Sequence, residues 1–107
     1  GESMKISPYD EVVCLCQLPV PENDTSEIDF NSITYQTKDL DRMLEVYTIT
    51  KKRNIIVMDE PYERTLKMSM YGISNGYWIE YKLSIDNGKV VRIELTEFRN
   101  RNFLGES

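Results

Sequence analysis

The sequence predicts a mainly β protein, α+β at most, in which antiparallel strands form a meander or sandwich-like sheet with one short helix. Two observations carry this prediction. Between Glu63 and Phe98, apolar and polar residues alternate with a period of two in three successive stretches, which is the pattern of half-buried strands. Asn-Gly pairs at positions 75–76 and 87–88 separate these stretches, and Asn-Gly is the favoured pair for a tight hairpin turn.

The turn of the first hairpin fixes the register of its two strands. A two-residue type I′ turn at Asn75-Gly76 pairs Ser74 with Tyr77. Residues that pair across an antiparallel ladder share a face of the sheet. The register therefore places three apolar pairs on one face, which we expect to belong to the core: Met70 with Tyr81, Met68 with Leu83, and Leu66 with Ile85.

The second hairpin needs a different turn if its apolar residues are to share that face. A two-residue loop at Asn87-Gly88 would place Leu83 opposite Arg92 and bury a charge. A three-residue loop with Gly88 in the left-handed position avoids this. This longer loop predicts the pairs Leu83–Val91, Tyr81–Ile93 and Ile79–Leu95.

The opposite face of these strands is the first candidate binding surface. It carries two aromatic side chains, which a face that contacts only water does not need. Its candidate binding residues are Tyr71, Trp78, Glu80, Lys82, Arg92 and Glu94. The predicted register places Lys82 beside Arg92, and Glu80 beside Glu94. Two other interpretations stay open, a solvated face with screened charge pairs and a face covered by an N-terminal segment.

The N-terminal half contains two predicted strands, Val12 to Leu18 and Ile28 to Gln36. In the first, Cys14 and Cys16 are interpreted as buried small apolar side chains. They are too close along the backbone for an ordinary disulfide. Two thiols in a chain without histidine also fall short of a usual four-ligand metal site. Reactive or metal-binding thiols are the alternative.

Residues 37–58 are predicted to contain the helix and another hairpin. Thr37 could cap a short helix whose apolar residues Leu40, Met43, Leu44 and Tyr47 have helical spacing. The alternative is an extended loop that runs into the next strand. Glu45 to Thr50 and Ile55 to Met58 are predicted to pair as a hairpin, and Pro61 to end its second strand.

Length and composition indicate one domain over residues 4–107, because 107 residues suit a single modest core. Residues 1–3 are interpreted as an expression remnant, and residues 99–107 as a flexible tail that mixes basic and aromatic side chains. No apolar run approaches the roughly 18 residues of a membrane-spanning helix, and no signal peptide opens the chain. We therefore expect no membrane association and a cytoplasmic location.

The net charge of −5 is unevenly distributed, since residues 6–37 contain six acidic residues and no basic ones. This segment is interpreted as a solubilising flank. Alternatively, it is an electronegative patch that engages a basic partner or occupies a nucleic-acid groove. A total of −5 gives nucleic-acid mimicry only weak support.

The chemistry of most enzymes is missing from the sequence. The chain has no histidine, the usual general base and metal ligand, and no glycine-rich phosphate loop. Asp59, Glu60 and Glu63 come nearest to paired carboxylates, in a predicted loop. We therefore expect a protein without enzymatic activity, without a metal site and without a cofactor.

Two motifs carry a resemblance to small uncharacterised bacterial and phage proteins. Gln36-Thr37-Lys38-Asp39-Leu40 precedes a predicted hairpin, and Trp78-Ile79-Glu80-Tyr81 precedes Asn87-Gly88-Lys89. A His-Gly element that often precedes the tryptophan strand in those proteins has no counterpart here. The resemblance implies a small, intracellular, β-rich and phage-borne domain, and it carries no established activity. It makes Gln36, Lys38 and Asp39 candidate binding positions. The alternative is that Lys38 and Asp39 anchor a turn.

Three functions follow as hypotheses. The leading one is a non-catalytic interaction protein, a phage accessory or anti-defence factor that binds a host protein in the host cytoplasm. The second is a nucleic-acid-related role, through Arg99 to Phe103 or through acidic mimicry, and we rank nucleic acid below protein as a partner. The third is a small enzyme that uses carboxylates only. A homodimer is compatible with all three.

Overall fold

The computed structural model describes residues 8–22 and 27–101. Strands dominate these residues, in chain order β1 Asp10–Cys14, β2 Thr34–Thr37, β3 Val46–Ile49, β4 Ile55–Val57, β5 Glu60–Pro61, β6 Leu66–Ser74, β7 Tyr77–Asp86 and β8 Lys89–Asn100. One 3-10 turn, Phe30–Ser32, precedes β2. The mainly β prediction is confirmed. The predicted remnant 1–3, residues 23–26 of the acidic segment, and residues 102–107 of the predicted tail lie outside the described residues.

All eight strands belong to one sheet, in the order β5-β4-β3-β1-β2-β6-β7-β8. Every neighbouring pair is antiparallel except β1 and β3, which are parallel. The sheet curls until its two ends touch, because Asn54 forms a bridge with Lys89 and the Val90 amide donates to the Arg53 carbonyl at 2.8 Å. A single curled sheet therefore replaces the sandwich-like alternative.

The first hairpin has the predicted register. Ser74 pairs with Tyr77, and the three predicted apolar pairs of β6 and β7 all form. Asn75 and Gly76 have φ angles of 51° and 80°, as a type I′ turn requires. The apolar partners lie inside the curl.

The prediction of a three-residue second turn is wrong. Asn87 and Gly88 have φ angles of 49° and 81°, and Asp86 pairs with Lys89, so this turn also has two residues. A bulge corrects the parity one step later: Ile85 pairs with Val90, and Ser84 with Arg92. Val91 is the extra residue and is 56% exposed.

Beyond this bulge the pairs of β7 and β8 differ from the prediction. Leu83 pairs with Ile93, Tyr81 with Leu95, and Ile79 with Phe98. A second irregularity between Glu80 and Tyr81 adds another shift. A β-bulge places two residues opposite one, so it flips the faces just as a longer turn would, and alternation alone does not distinguish the two solutions.

The predicted short helix after Thr37 is also wrong, and the alternative of a loop is correct. Residues 38–45 form bends and irregular backbone, and both Arg42 and Leu44 have positive φ, 57° and 60°. Tyr47 lies in β3. The buried Asp10 carboxylate accepts hydrogen bonds from amides of this loop, and these bonds replace the intrahelical ones.

The core lies inside the curl and is closed by the chain that follows β1. The strand predicted over Val12 to Leu18 ends at Cys14, yet Cys16 and Leu18 remain buried. The strand predicted over Ile28 to Gln36 is shortened to β2 by the 3-10 turn. Tyr81 donates its hydroxyl to the Pro19 carbonyl at 2.8 Å, which ties the crossing segment to β7. The hairpin predicted between β3 and β4 is confirmed.

Candidate functional site

The predicted aromatic pair lies together on the outer face of the sheet. The rings of Tyr71 and Trp78 stack with centroids 5.3 Å apart and an interplanar angle of 12°. The Arg99 guanidinium lies 5.7 Å from the centroid of the Trp78 ring, and the Trp78 indole donates to Glu80 at 3.3 Å. Both aromatic residues are half-buried. The described N-terminal residues cross the core side, so they leave this face uncovered.

A groove of about 340 Å³ opens beside the aromatic pair. It is lined by Thr34, Gln36, Tyr71, Gly72, Ile73 and Trp78. Within the described residues, Gln36 and Tyr71 are the one registered pair between β2 and β6, and both line the groove. Ile73 is 51% exposed at its edge. An apolar groove whose lining includes one side-chain amide, two hydroxyl groups and an indole N–H suits an apolar side chain whose backbone is hydrogen-bonded.

Glycine at position 72 allows the two strands to approach at the start of the groove. A Cβ atom at this position would lie 2.7 Å from Cγ2 of Ile33 and 3.0 Å from the Tyr35 ring. Ile33 and Tyr35 therefore pack directly over the backbone of β6. The close packing of β2 on β6 therefore depends on the absence of a side chain at this position.

The charged residues of this face pair differently from the prediction, because the bulges shift β8. Lys82 lies opposite Glu94 and not beside Arg92, and Glu80 lies opposite Glu97 and not beside Glu94. Arg92 forms an ion pair with Glu94 at 2.9 Å. Lys82, Arg92 and Glu94 are exposed, so their pairs contribute little to affinity or stability. Only Glu80 of the charged candidates contacts the aromatic pair.

The Gln-Thr-Lys-Asp-Leu motif divides between binding and structure. Gln36 lines the groove. The Asp39 carboxylate accepts the Ser69 amide at 2.7 Å, and Thr37 donates its hydroxyl to the Ser69 carbonyl at 2.7 Å. These two bonds join the end of β2 to β6, so Asp39 anchors a turn. Lys38 is exposed and lies away from the groove lining.

Asp10 was not among the predicted site residues, although it is the most unusual charged residue of the described structure. Its side chain is fully buried, and its carboxylate accepts the amides of Arg42 at 2.6 Å, Met43 at 3.0 Å and Glu45 at 2.9 Å. The alternation of Asp10 with Val12 and Cys14 already places it on the buried face, and this was the available signal.

The acidic segment is not one surface patch, because its carboxylates have separate tasks. Asp10 is buried in the loop just described. Asp29 caps the 3-10 turn by accepting the Asn31 amide at 3.2 Å. Glu11 lies in β1 opposite Gln36, on the outer face of the sheet. The described carboxylates of this segment therefore do not form the continuous acidic surface that would imitate a nucleic acid.

The two cysteines are buried, as predicted, and their sulfur atoms lie 3.3 Å apart. Asn31 holds the backbone around them, since its side-chain Nδ2 group donates to the carbonyls of Cys14 and Cys16. The two sulfur atoms share a hydrogen bond. When Cys16 is ionised, the Cys14 thiol is the donor, which lowers the pKa of Cys16 to about 7 and raises the pKa of Cys14. Within residues 8–22 and 27–101, no three Cys, Asp, Glu or His side chains meet in a metal-binding arrangement.

The carboxylates proposed for an enzyme do not converge. A second cavity of about 370 Å³ lies between β4, β5 and the second hairpin turn, and it is lined by Glu63 but not by Asp59 or Glu60. Asp59 and Glu60 are exposed in and after the turn that follows β4. A pair of carboxylates that could divide acid and base roles is therefore not assembled at this cavity.

At the C-terminal end of β8, the guanidinium group of Arg99 contacts partners within the chain, and Arg101 is fixed through its backbone. Arg99 lies over Trp78 and 3.7 Å from the Glu97 carboxylate, and the Arg101 amide donates to the Gly76 carbonyl at 2.7 Å. Arg99 and Asn100 belong to β8, so the predicted tail begins later than position 99. None of the helical turns in the described parts of the chain is long and apolar enough to cross a bilayer.

Comparisons with known proteins add no assignment to this geometry. No protein-family model matches the chain, and neither curated proteins nor solved structures show a match to it. The resemblance to small bacterial and phage proteins therefore stays a prediction.

Proposed function

We propose that this chain is a non-catalytic interaction protein that binds a protein partner through the groove beside Tyr71 and Trp78. The observation that carries the proposal is the half-exposed Ile73 at the edge of an apolar groove next to a stacked aromatic pair. Binding energy at protein interfaces concentrates in such aromatic and aliphatic anchors. With the resemblance taken into account, we propose a phage accessory factor that acts on a host protein in the cytoplasm.

The occupant that suits the groove is an apolar side chain carried by a basic segment. Glu11 and Glu80 flank Gln36 and Tyr71 along the same row of the outer face. The whole chain carries a net charge of −5. Carboxylates around an apolar centre favour lysine or arginine on the partner, since complementary charge speeds the encounter and fixes its orientation.

The test begins with affinity capture from host lysate and continues with titration of the purified partner. We expect Ile73→Glu and Trp78→Ala to weaken the partner's Kd by a factor of about 10 or more, as expected for an anchor residue. Val91→Glu is the matched control, because Val91 is also a strand residue and is 56% exposed. It should change the Kd by less than about twofold, on the scale of residues outside a hot spot.

Two results would contradict the proposal. One is the failure to recover any specific partner at low as well as at moderate salt. The other is a purified partner that binds the Ile73→Glu and Trp78→Ala variants as tightly as it binds the wild-type protein, provided that circular dichroism shows both variants folded.

A further inference from the structure

A second apolar surface lies away from the groove, at the end of the sheet where β3 begins and β4 ends. Its members are Met43, Leu44, Val46 and Met58, which are 70%, 66%, 47% and 73% exposed. Tyr47 pairs with Val57, so the adjoining residues Val46 and Met58 are at the same end of this strand pair. Exposed apolar residues that occur singly need no explanation, but a group of four large ones is typical of a binding surface.

The backbone at two of these residues has an unusual conformation. Leu44 has a φ angle of 60° and Met58 of 54°, in the left-handed region that glycine and asparagine adopt readily and larger apolar residues rarely do. The chain therefore keeps two large apolar side chains exposed to solvent at positions where a small or polar residue would fit the backbone better. Strain of this kind is concentrated at functional sites.

The loop that displays Met43 and Leu44 is held in place by its amides. The buried Asp10 carboxylate accepts the amides of Arg42, Met43 and Glu45, and the Tyr9 carbonyl accepts the amide of Leu44 at 3.0 Å. All four consecutive amides thus bond to the start of β1. A surface whose backbone is already fixed loses less conformational entropy when a partner binds.

The surroundings of this surface indicate the charge of its partner. Within two residues of these positions, the chain carries four carboxylates, Asp41, Glu45, Asp59 and Glu60, and one basic residue, Arg42. Glu11 also lies beside Val46 in the neighbouring strand. Asp41 and Arg64 form an ion pair at 3.3 Å, which leaves the excess charge on the other acidic residues. A second copy of this acidic chain would bring like charges together, whereas a basic segment would complement them.

We propose that Met43, Leu44, Val46 and Met58 form a docking surface for a basic amphipathic segment of a partner protein, one whose apolar residues are flanked by lysine or arginine. This goes beyond the proposed function, because a different surface carries it. In one row of the sheet, Val46 is two strands from Gln36, the nearest groove residue of that row, and three strands from Tyr71. These separations are about 10 Å and about 14 Å at the usual strand spacing. Because the two proposals rest on different residues, a result against the groove is not a result against the docking surface.

The probe is a displayed library of random peptides, selected against the wild-type protein and counter-selected against a Leu44→Asn/Met58→Asn double variant. Asparagine tolerates the left-handed backbone, so the double variant removes the apolar side chains and keeps the loop. We expect the enriched peptides to carry Lys or Arg beside apolar residues. When synthesised and titrated by fluorescence anisotropy, they should bind the double variant about tenfold or more weakly.

An Ile73→Glu variant separates this inference from the proposed function, because it alters the groove and leaves the docking surface intact. Peptides that lose affinity for Ile73→Glu but not for the double variant would overturn the docking surface and favour the groove. Enrichment of acidic or uncharged peptides would overturn the basic partner. A failure to enrich any peptide would count against the surface itself. A sedimentation mass of two chains for the wild-type protein and of one chain for the double variant would overturn the basic partner, because a second copy of the chain would then occupy the surface.

Discussion

At the scale of single residues, Leu44 is a large apolar residue that is exposed to solvent on a locally unfavourable backbone conformation. Its backbone is left-handed, with φ at 60°, and its side chain is 66% exposed. A left-handed conformation costs most residues other than glycine about 1 kcal/mol or more. An exposed leucine recovers little of that cost through burial, so neither packing nor backbone preference accounts for the residue.

The first prediction follows from this imbalance. Leu44→Asn should raise the free energy of unfolding by about 0.5 to 1 kcal/mol, because asparagine adopts the left-handed backbone with less strain. Urea denaturation measures the change. Met43→Asn is the control: Met43 is the neighbouring residue, it is 70% exposed, and it is not among the positive-φ residues. Equal effects of the two substitutions, or a loss of stability at Leu44 alone, would contradict the strain.

The second prediction concerns the ionisation of the cysteine pair. Ultraviolet thiolate absorbance should show one thiolate forming near pH 7 in the folded protein, because the Cys14 thiol donates to the Cys16 sulfur and lowers the pKa of Cys16 to about 7. Cys14→Ala removes the donor, so the pKa of Cys16 should rise. A titration near pH 9 in the wild-type protein would show that the sulfur–sulfur hydrogen bond is absent.

The same shift sets the sign of a pH effect on stability. Between pH 7 and the ordinary thiol value of 9.0, the folded chain has released the Cys16 proton and the unfolded chain still holds it. Stability therefore increases as the pH rises through this window, and the contribution is lost as the pH falls through 7. The raised pKa of Cys14 acts in the opposite direction at higher pH, where only the unfolded chain releases that second proton.

At the scale of elements, the second hairpin shows how far alternation determines a fold. The register of β6 and β7 was predictable, because one Asn-Gly turn and one alternating pattern admit one solution. The pairing of β7 with β8 was not, because a longer turn and a bulge at Val91 give the same parity. The position of a bulge depends on the twist that the curled sheet requires. The sequence pattern of one strand therefore does not predict where the bulge lies.

A deletion distinguishes the two solutions. Removal of one valine from Val90-Val91 takes out the extra residue, leaves Arg92 opposite Ser84 and should change the free energy of unfolding by less than about 1 kcal/mol. With a three-residue turn, the same deletion would bring Arg92 opposite Leu83 and bury its charge. Thermal denaturation followed by circular dichroism measures the outcome. Loss of the folded state would contradict the bulge, and deletion of Ile93, which forces Glu94 towards the core, is the unfolding control.

The loop before β3 failed prediction for a different reason. Leu40, Met43, Leu44 and Tyr47 have the spacing of a helical face, but in the structure Tyr47 enters the core from β3 while Met43 and Leu44 remain exposed. The determinant is the Asp10 carboxylate, which lies some 30 residues earlier in the chain. Helix propensity and apolar periodicity are local properties of the sequence. They therefore do not predict a hydrogen-bond acceptor that another strand supplies.

At the scale of the whole molecule, a curled sheet separates two kinds of surface. The inside is filled by alternating apolar residues and closed by the segment tied to Tyr81. The outside carries the groove and, at one end, the docking surface. The alternation of side chains along β6 and β7 predicted that Tyr71 and Trp78 share a face, because successive residues of a strand point to opposite faces. The parallel pairing of β1 with β3, which brings Asp10 to the loop, depends on long-range contacts that parity does not encode.

Both proposed surfaces require a scaffold that is rigid before any partner arrives. The loop from Arg42 to Glu45 is the most demanding case, because its side chains face solvent while its amides bond to β1. If those bonds hold in solution, the amides should exchange with solvent only through opening of the Asp10 contacts. If they do not, the loop is an ordinary exposed segment and its apolar side chains are not held for recognition.

Amide hydrogen exchange resolved by residue therefore tests the rigid display most directly. We expect the amides of Arg42, Met43 and Glu45 in the wild-type protein to be protected to the level of the β1 and β3 amides. Asp10→Asn should remove that protection, whereas Glu11→Gln, at the neighbouring half-buried position, should preserve it. Wild-type amides at these three positions that exchange as fast as those of an unstructured peptide would contradict a preformed recognition surface.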